Sequence, residues 1–228
     1  MPQNACPMPD TSHATALVIF DCDGVLVDSE RVSHLVLQAM LAEHGVSIGF
    51  DEAVARFMGS SMPHTLSVVQ QMTGVPPEVF LPDFRKRTFE AFGADLEPVP
   101  GVPAVLGALE ARARPYCVAS NGPREKMELT LGRTGLLPRF VPGRLFSADD
   151  VARPKPEPDL FLHAAARLGA PPAGCIVVED TPTGVRAARA AGMRVFGYAA
   201  MTPVSRLQEA GAHATFDVMA ALPALLGL

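Results

Sequence analysis

Apolar residues along the chain fall into two rhythms. Residues 16–20 (ALVIF), 116–120 (YCVAS), 145–147 (LFS), 175–178 (CIVV) and 194–198 (RVFGY) are short runs bounded by turn formers. Such runs read as strands, and the first and fourth, apolar throughout, as strands buried on both faces. Between them the apolar positions recur at helical spacing. Val32, Leu35, Val36, Ala39 and Met40 predict an amphipathic helix over residues 29–41 that stops near Gly45. Further helices are predicted over residues 51–58, 62–73 and 77–92, then 102–113, 123–134, 159–168 and 182–191, with weaker helices finishing the chain. No strand-like run interrupts residues 29–96, so this span reads as an all-helical insert. Pro98, Pro100, Gly101 and Pro103 mark the re-entry, and residues 153–158 (RPKPEP) a rigid, extended loop.

Strands alternating with helices predict an α/β fold: a Rossmann-like parallel sheet with helices on both faces. The expected division is a tail at residues 1–13, a core of residues 14–28 and 97–228, and a helical cap at 29–96. In such sheets ligands bind beyond the carboxyl ends of the strands. Asp21 and Asp23, then Ser120 and Asn121, then Glu179 and Asp180 each follow an apolar strand. A parallel sheet brings all six residues to one edge.

Carboxylates so placed repel one another and are costly to bury unpaired. A hard divalent cation with oxygen ligands resolves this, and few carboxylates plus retained waters suit Mg²⁺. A Mg²⁺ site beside a hydroxyl, an amide and a lysine suits phosphoryl transfer, which needs charge neutralisation and an in-line nucleophile. Taken singly the motifs have plainer readings. A D-x-D pair is commonly a solvated turn, Ser120-Asn121-Gly122 a helix cap, and Glu179-Asp180-Thr181-Pro182 an N-cap with first-turn acids. Lys155 is one of three lysines, with Lys86 and Lys126. His34, His44 and His64 are expected on the surface of the insert. Arg85-Lys86-Arg87 reads as a solvated helix face, or as cations offered to an acidic substrate.

Composition narrows the class. The chain has 228 residues and a formal net charge of -5, which gives no basic footprint for nucleic acid. No apolar run approaches the ~20 residues that span a bilayer. Residues 1–13 hold three prolines, no Lys or Arg and no apolar stretch, and are expected to be disordered rather than a signal peptide. Four scattered cysteines without a CxxC pair fit a reducing cytoplasm.

Asp21-Cys22-Asp23-Gly24-Val25-Leu26-Val27-Asp28-Ser29-Glu30, then Ser120-Asn121-Gly122, Lys155 in RPKPEPD and Glu179-Asp180 in VVEDTPTGV resemble, in order and spacing, the four motifs of the haloacid dehalogenase (HAD) superfamily. The helical insert is similar to the small α-helical cap of its phosphatase and β-phosphoglucomutase branch. Residues 120–127 and 145–147, with residues 161–165, resemble the 6-phosphogluconate phosphatase subgroup. The resemblance implies a phosphoric monoester hydrolase acting on small phosphorylated metabolites, sugar or sugar-acid phosphates, as a monomer or weak homodimer. It implies that Asp21 attacks phosphorus and becomes an aspartyl-phosphate, and that Asp23 serves as acid and then base. Ser120 and Asn121 would hold a phosphoryl oxygen, and Lys155 would neutralise its charge. Asp21, Asp180, the Asp23 carbonyl and Glu179, directly or through water, would hold Mg²⁺.

Asp23 argues against dehalogenation, since dehalogenases of this fold lack it. The phosphonate-cleaving branch uses a lysine early in the cap, and residues 29–84 have none. Mutases of the branch carry a histidine twelve residues after the nucleophile. Here that position is Ser33, with His34 one residue, or about 100° of helix, away. A sugar phosphomutase is the alternative. A non-enzymatic phospho-acceptor is a further one, although this chain is about twice the size such a module needs.

Overall fold

The structure is a computed structural model that describes residues 15–58, 60 and 62–228; the tail expected at residues 1–13 lies outside them. Its strands are β1 (Leu17–Phe20), β2 (Tyr116–Ser120), β3 (Leu145–Ser147), β4 (Cys175–Glu179), β5 (Arg194–Tyr198) and β6 (Ala214–Phe216). They form a six-stranded sheet in the order β3-β2-β1-β4-β5-β6, every neighbouring pair parallel. The chain builds outward from β1 on one side, then crosses to β4 and builds outward on the other. The switch point therefore lies between β1 and β4.

The first helices after β1 are α1 (Ser29–Glu43), α2 (Phe50–Phe57), α3 (Met62–Thr73) and α4 (Pro77–Asp95). Then come α5 (Val102–Ala111), α6 (Arg124–Arg133), α7 (Asp159–Arg167), α8 (Pro182–Ala190), α9 (Val204–Glu209) and α10 (Leu222–Leu225). Side chains alternate across a strand, so β1 feeds two cores. Val18 and Phe20 pack with Val105, Leu106, Met127 and Leu222 under α5, α6 and α10. Leu17 and Ile19 pack with Leu160, Phe161, Val185 and Leu207 under α7, α8 and α9. A third cluster, including Leu37, Leu41, Phe57, Val69 and Phe80, draws only on α1 to α4. Val32, Phe92 and Leu96 belong instead to the first cluster, so the insert is rooted in the core at both of its ends.

The two connections to the insert run side by side. Asp28 N–H donates to the Glu97 carbonyl at 3.0 Å, and Val99 N–H to the Leu26 carbonyl at 3.0 Å. Two features differ from the sequence expectations. Residues 214–216 pair with β5 as an edge strand where helices were expected; three residues are too few for a periodicity to register. Residues 153–158 turn rather than extend, with Glu157 N–H donating to the Pro154 carbonyl at 3.0 Å, a closure that single-residue φ preferences do not reveal. Cys22, Cys117 and Cys175 are buried free thiols. Among the described residues no helix is long and apolar enough to cross a membrane.

Candidate active site

Register places the strand tips level. Phe20 lies beside Val118 of β2 and Val178 of β4, so Asp21 emerges one step beyond, flanked by Ala119 and Glu179. Its N–H still donates to the Val178 carbonyl, at 2.9 Å. All the residues expected at the sheet edge do meet there, and they are deeply placed: Asp21 is 6% exposed, Lys155 6%, Asp180 4% and Glu179 1%.

Lys155 is the hub. Its Nζ donates to Asp21 Oδ1 at 2.5 Å and to Glu179 Oε1 at 2.8 Å, and stands 4.7 Å from the Phe161 ring centroid. The two carboxylates outweigh the cost of burial, so its pKa is raised and the ammonium stays charged. The turn that carries it is clamped by Asn121. Its Nδ2 donates to the Lys155 carbonyl at 3.0 Å, and its Oδ1 accepts from the Lys155 N–H at 2.9 Å. Sequence reasoning gave Asn121 a phosphate-binding backbone and missed this side-chain work, which joins residues 34 positions apart.

Glu179 has both oxygens occupied. Oε1 faces Lys155, while Oε2 accepts from Thr181 N–H at 2.9 Å and Thr181 Oγ1 at 2.8 Å. Thr181 in turn caps α8, accepting from the Gly184 N–H at 3.1 Å. A Cβ on Gly184 would lie 1.7 Å from Glu179 Oε1, so the carboxylate fits only against a glycine. Gly24 plays the same part opposite Asp180: its φ is +75°, and a Cβ there would stand 2.2 Å from Asp180 Oδ2.

Asp23 is held apart from this cluster. Ser29 Oγ donates to Oδ1 at 2.7 Å and Lys126 Nζ to Oδ2 at 2.8 Å. Burial alone would raise its pKa, but Lys126 and Ser29 prevail and hold it below the usual carboxylate range. Lys126 also sits 5.5 Å from the Phe92 ring centroid, joining α6 to α4. Asp21 behaves oppositely: burial pushes it up to about 7 despite Lys155. Asp180 is raised as well, by burial and then by Glu179 and Asp21.

Among the described residues, the ammonium groups paired with the carboxylates of Asp21, Asp23, Glu30, Glu179 and Asp180 are those of Lys126, on Asp23, and Lys155, on Asp21 and Glu179. Buried Asp180 Oδ1 has no hydrogen-bond partner. A carboxyl oxygen left bare beside two further buried carboxylates is the donor set a hard cation satisfies. Among the described residues no three acidic, thiol or imidazole side chains are close enough to cage a metal by themselves. Mg²⁺ does not require that, since it keeps several waters and also takes carbonyl oxygen.

The site opens into a cavity of about 1200 Å³ between sheet edge and insert. Ser33 and His34 both line it. His34 corrects the expectation of a surface position: it is buried, with Nδ1 against the Glu30 carbonyl at 2.8 Å. His44 and His64 are exposed. Ser120, also buried, accepts from the Gly122 N–H at 3.2 Å through Oγ.

Known proteins resemble this chain in sequence and in fold. The profile of haloacid dehalogenase-like hydrolases matches residues 15–192. The chain is 35% identical over 185 residues to the 6-phosphogluconate phosphatase of Escherichia coli K12, covering 80% of this chain and 82% of that one. It is 32% identical over 227 residues to the plasmid-encoded phosphoglycolate phosphatase of Cupriavidus necator, covering 96% of each. A HAD family hydrolase from Deinococcus radiodurans, solved with bound phosphate and sodium, superposes with a TM-score of 0.83 at 32% identity, over 94% of this chain and 96% of that one.

Proposed function

The chain belongs to the haloacid dehalogenase-like hydrolases, and from that premise we propose that it is a Mg²⁺-dependent phosphatase of small phosphorylated sugars or sugar acids, acting in a reducing cytoplasm. The observation that carries the reading is the buried charge arrangement at the sheet edge: a carboxylate gripped on one oxygen by Lys155, next to an unsatisfied Asp180. The E. coli and C. necator relatives named for phosphatase activity favour the same substrate class.

Asp21 is the nucleophile. Lys155 fixes Oδ1 and leaves Oδ2 to attack phosphorus, forming an aspartyl-phosphate as the alkoxide leaves. Asp21, Asp180 and the main-chain carbonyl of Asp23 would hold Mg²⁺, which supplies charge neutralisation for the phosphoryl oxygens and keeps Asp21 ionised. Glu179 we read as the residue that positions Lys155 rather than as a metal ligand, because both of its oxygens are engaged. Ser120 Oγ and the Asn121 backbone would hold a phosphoryl oxygen, opposite Lys155.

Asp23 handles the protons. In the free enzyme Lys126 and Ser29 keep it a carboxylate, the form that takes a proton from water in the hydrolytic half-reaction. Protonating the leaving alkoxide needs its acid form. That proton arrives with a phosphate monoester monoanion, whose second pKa is about 6. The cap of residues 29–96 would exclude bulk water.

The test is phosphate release from 4-nitrophenyl phosphate with and without Mg²⁺. Many turnovers per chain are expected, and none with Asp21→Asn, whose fold should remain intact by circular dichroism. Stoichiometric labelling without turnover would favour a phospho-acceptor. Because Ser33 and His34 both face the cavity, a mutase reading is also tested by product analysis with glucose 1-phosphate. Isomerisation faster than phosphate release would replace the phosphatase reading.

A further inference from the structure

The basic run Arg85-Lys86-Arg87 does not behave as one surface. Lys86 Nζ lies 4.0 Å from Glu90, and Arg87 pairs with Glu43 at 2.5 Å and Asp83 at 3.0 Å. Arg85 instead faces the active-site cavity, and among the described residues nothing engages its guanidinium. On α8, Arg186 lines the same cavity and is in the same condition. A third guanidinium nearby, that of Arg206, donates to the Met58 carbonyl at 3.3 Å. Glu125 and Glu209 face the cavity too, yet neither pairs with Arg85 or Arg186.

α4 relates Arg85 to the reacting end. Arg85, Thr88, Phe89 and Phe92 all line the cavity, at the i, i+3, i+4 and i+7 spacing of one helix face. Phe92 marks the catalytic end through Lys126, which is bound to Asp23. Seven residues of helix set Arg85 about 10 Å along α4 from that end. Arg186 lies six residues after Asp180, one turn and more into α8. The partly exposed ring of Phe89 and the buried, unpartnered Thr88 Oγ1 lie on the α4 wall between the two ends.

Two guanidiniums line one cavity with no carboxylate paired to either, and their planar forks match carboxylate or phosphate. We propose that Arg85 and Arg186 form a second anion subsite, and that the substrate is a phosphate monoester with a further carboxylate or phosphate at the end remote from the ester. This rests on the phosphatase reading above. A substrate ending in hydroxyl groups would leave both cations uncompensated.

The test compares 6-phosphogluconate, fructose 1,6-bisphosphate, glucose 6-phosphate and 4-nitrophenyl phosphate, with wild type and with Arg85→Ala and Arg186→Ala. Wild type is expected to prefer one of the dianionic-ended substrates over glucose 6-phosphate, and the preferred one identifies the second anion. In each variant the kcat/KM ratio of that substrate to 4-nitrophenyl phosphate should fall about ten- to a hundredfold, mostly through KM, with Arg85→Lys intermediate. Both arginines are exposed, so melting temperatures should match wild type. A ratio that stays within about twofold, or equal turnover of the three sugar phosphates, overturns the subsite while leaving the phosphatase standing. Absence of phosphate release from all four by wild type overturns the phosphatase reading and the subsite with it.

Discussion

At the scale of single residues, the site depends on groups that hold other groups. Gly184→Ala would push a methyl into Glu179 and break a buried pair from one side. A loss of about 2–4 kcal/mol in urea unfolding is expected, with activity falling in parallel. Asn121→Ala removes both bonds that clamp the Lys155 turn. It should lower kcat about tenfold or more while barely changing the melting temperature, which a purely structural role would not do. The raised pKa of Asp21, about 7, has a definite sign. A carboxyl that holds its proton more tightly when folded stabilises the cation-free protein at low pH, and that contribution is lost as pH rises from about 4 through about 7. Mg²⁺ bound at Asp21 would replace the proton. Its stabilisation, read as a shift in melting temperature, should therefore be larger at pH 8 than at pH 5.5, with proton release on binding seen by calorimetry in buffers of different ionisation enthalpy. An equal shift at both pH values would contradict the reading of Asp21 as a ligand. These residue identities were legible only in part. Asp21, Asp23 and Asp180 announce themselves as charges beside apolar runs, and Lys155 as one of three lysines, framed by prolines. Ser29, Lys126, His34 and the side-chain clamp of Asn121 do not, because each acts through a partner or a wall that appears only when distant segments meet.

At the scale of elements, α4 and α6 act together. Lys126 leaves α6, binds Asp23 and lies over Phe92 of α4. Lys126→Met keeps the stem against the ring and removes the charge that holds Asp23 down. Asp23 should then titrate higher, and the acid limb of the kcat–pH profile should move to higher pH; an unmoved limb would separate Lys126 from the proton chemistry. The strands were readable from their unbroken apolar runs, since a strand covered on both faces has nothing polar to show until its tip. β6 was not, being three residues long and half-buried at the edge. The turn at residues 153–158 was misread for a related reason: proline restricts its own φ and its predecessor, but closure comes from a hydrogen bond between residues that sequence treats independently.

At the scale of the whole molecule, the insert has its own apolar cluster while its roots belong to the core. Local opening should follow that division. Hydrogen exchange is expected to show α2 and α3 opening at lower free energy than β1 and β4, which sit at the middle of the sheet. Leu41→Ala should widen the gap, loosening the insert by about 2–4 kcal/mol with little change in sheet protection. Uniform protection across both would mean that insert and core unfold as one unit. The insert was legible as a stretch of helical rhythm without strands. Its cavity-facing side was not, because Arg85 and its two basic neighbours look alike until packing assigns each a partner or none.

The paired connections at Asp28–Glu97 and Leu26–Val99 carry one more consequence. The chain leaves and re-enters the sheet at almost the same point, as it would through a tight hairpin. To the strands, therefore, the excursion resembles a tight turn: a helical module that kept the roots, with Ser29 beside Asp23 and Phe92 beside Lys126, could be spliced in without disturbing the acidic centre. Exchanging the middle of the insert with its roots kept therefore offers a route to a new specificity on an unchanged reaction.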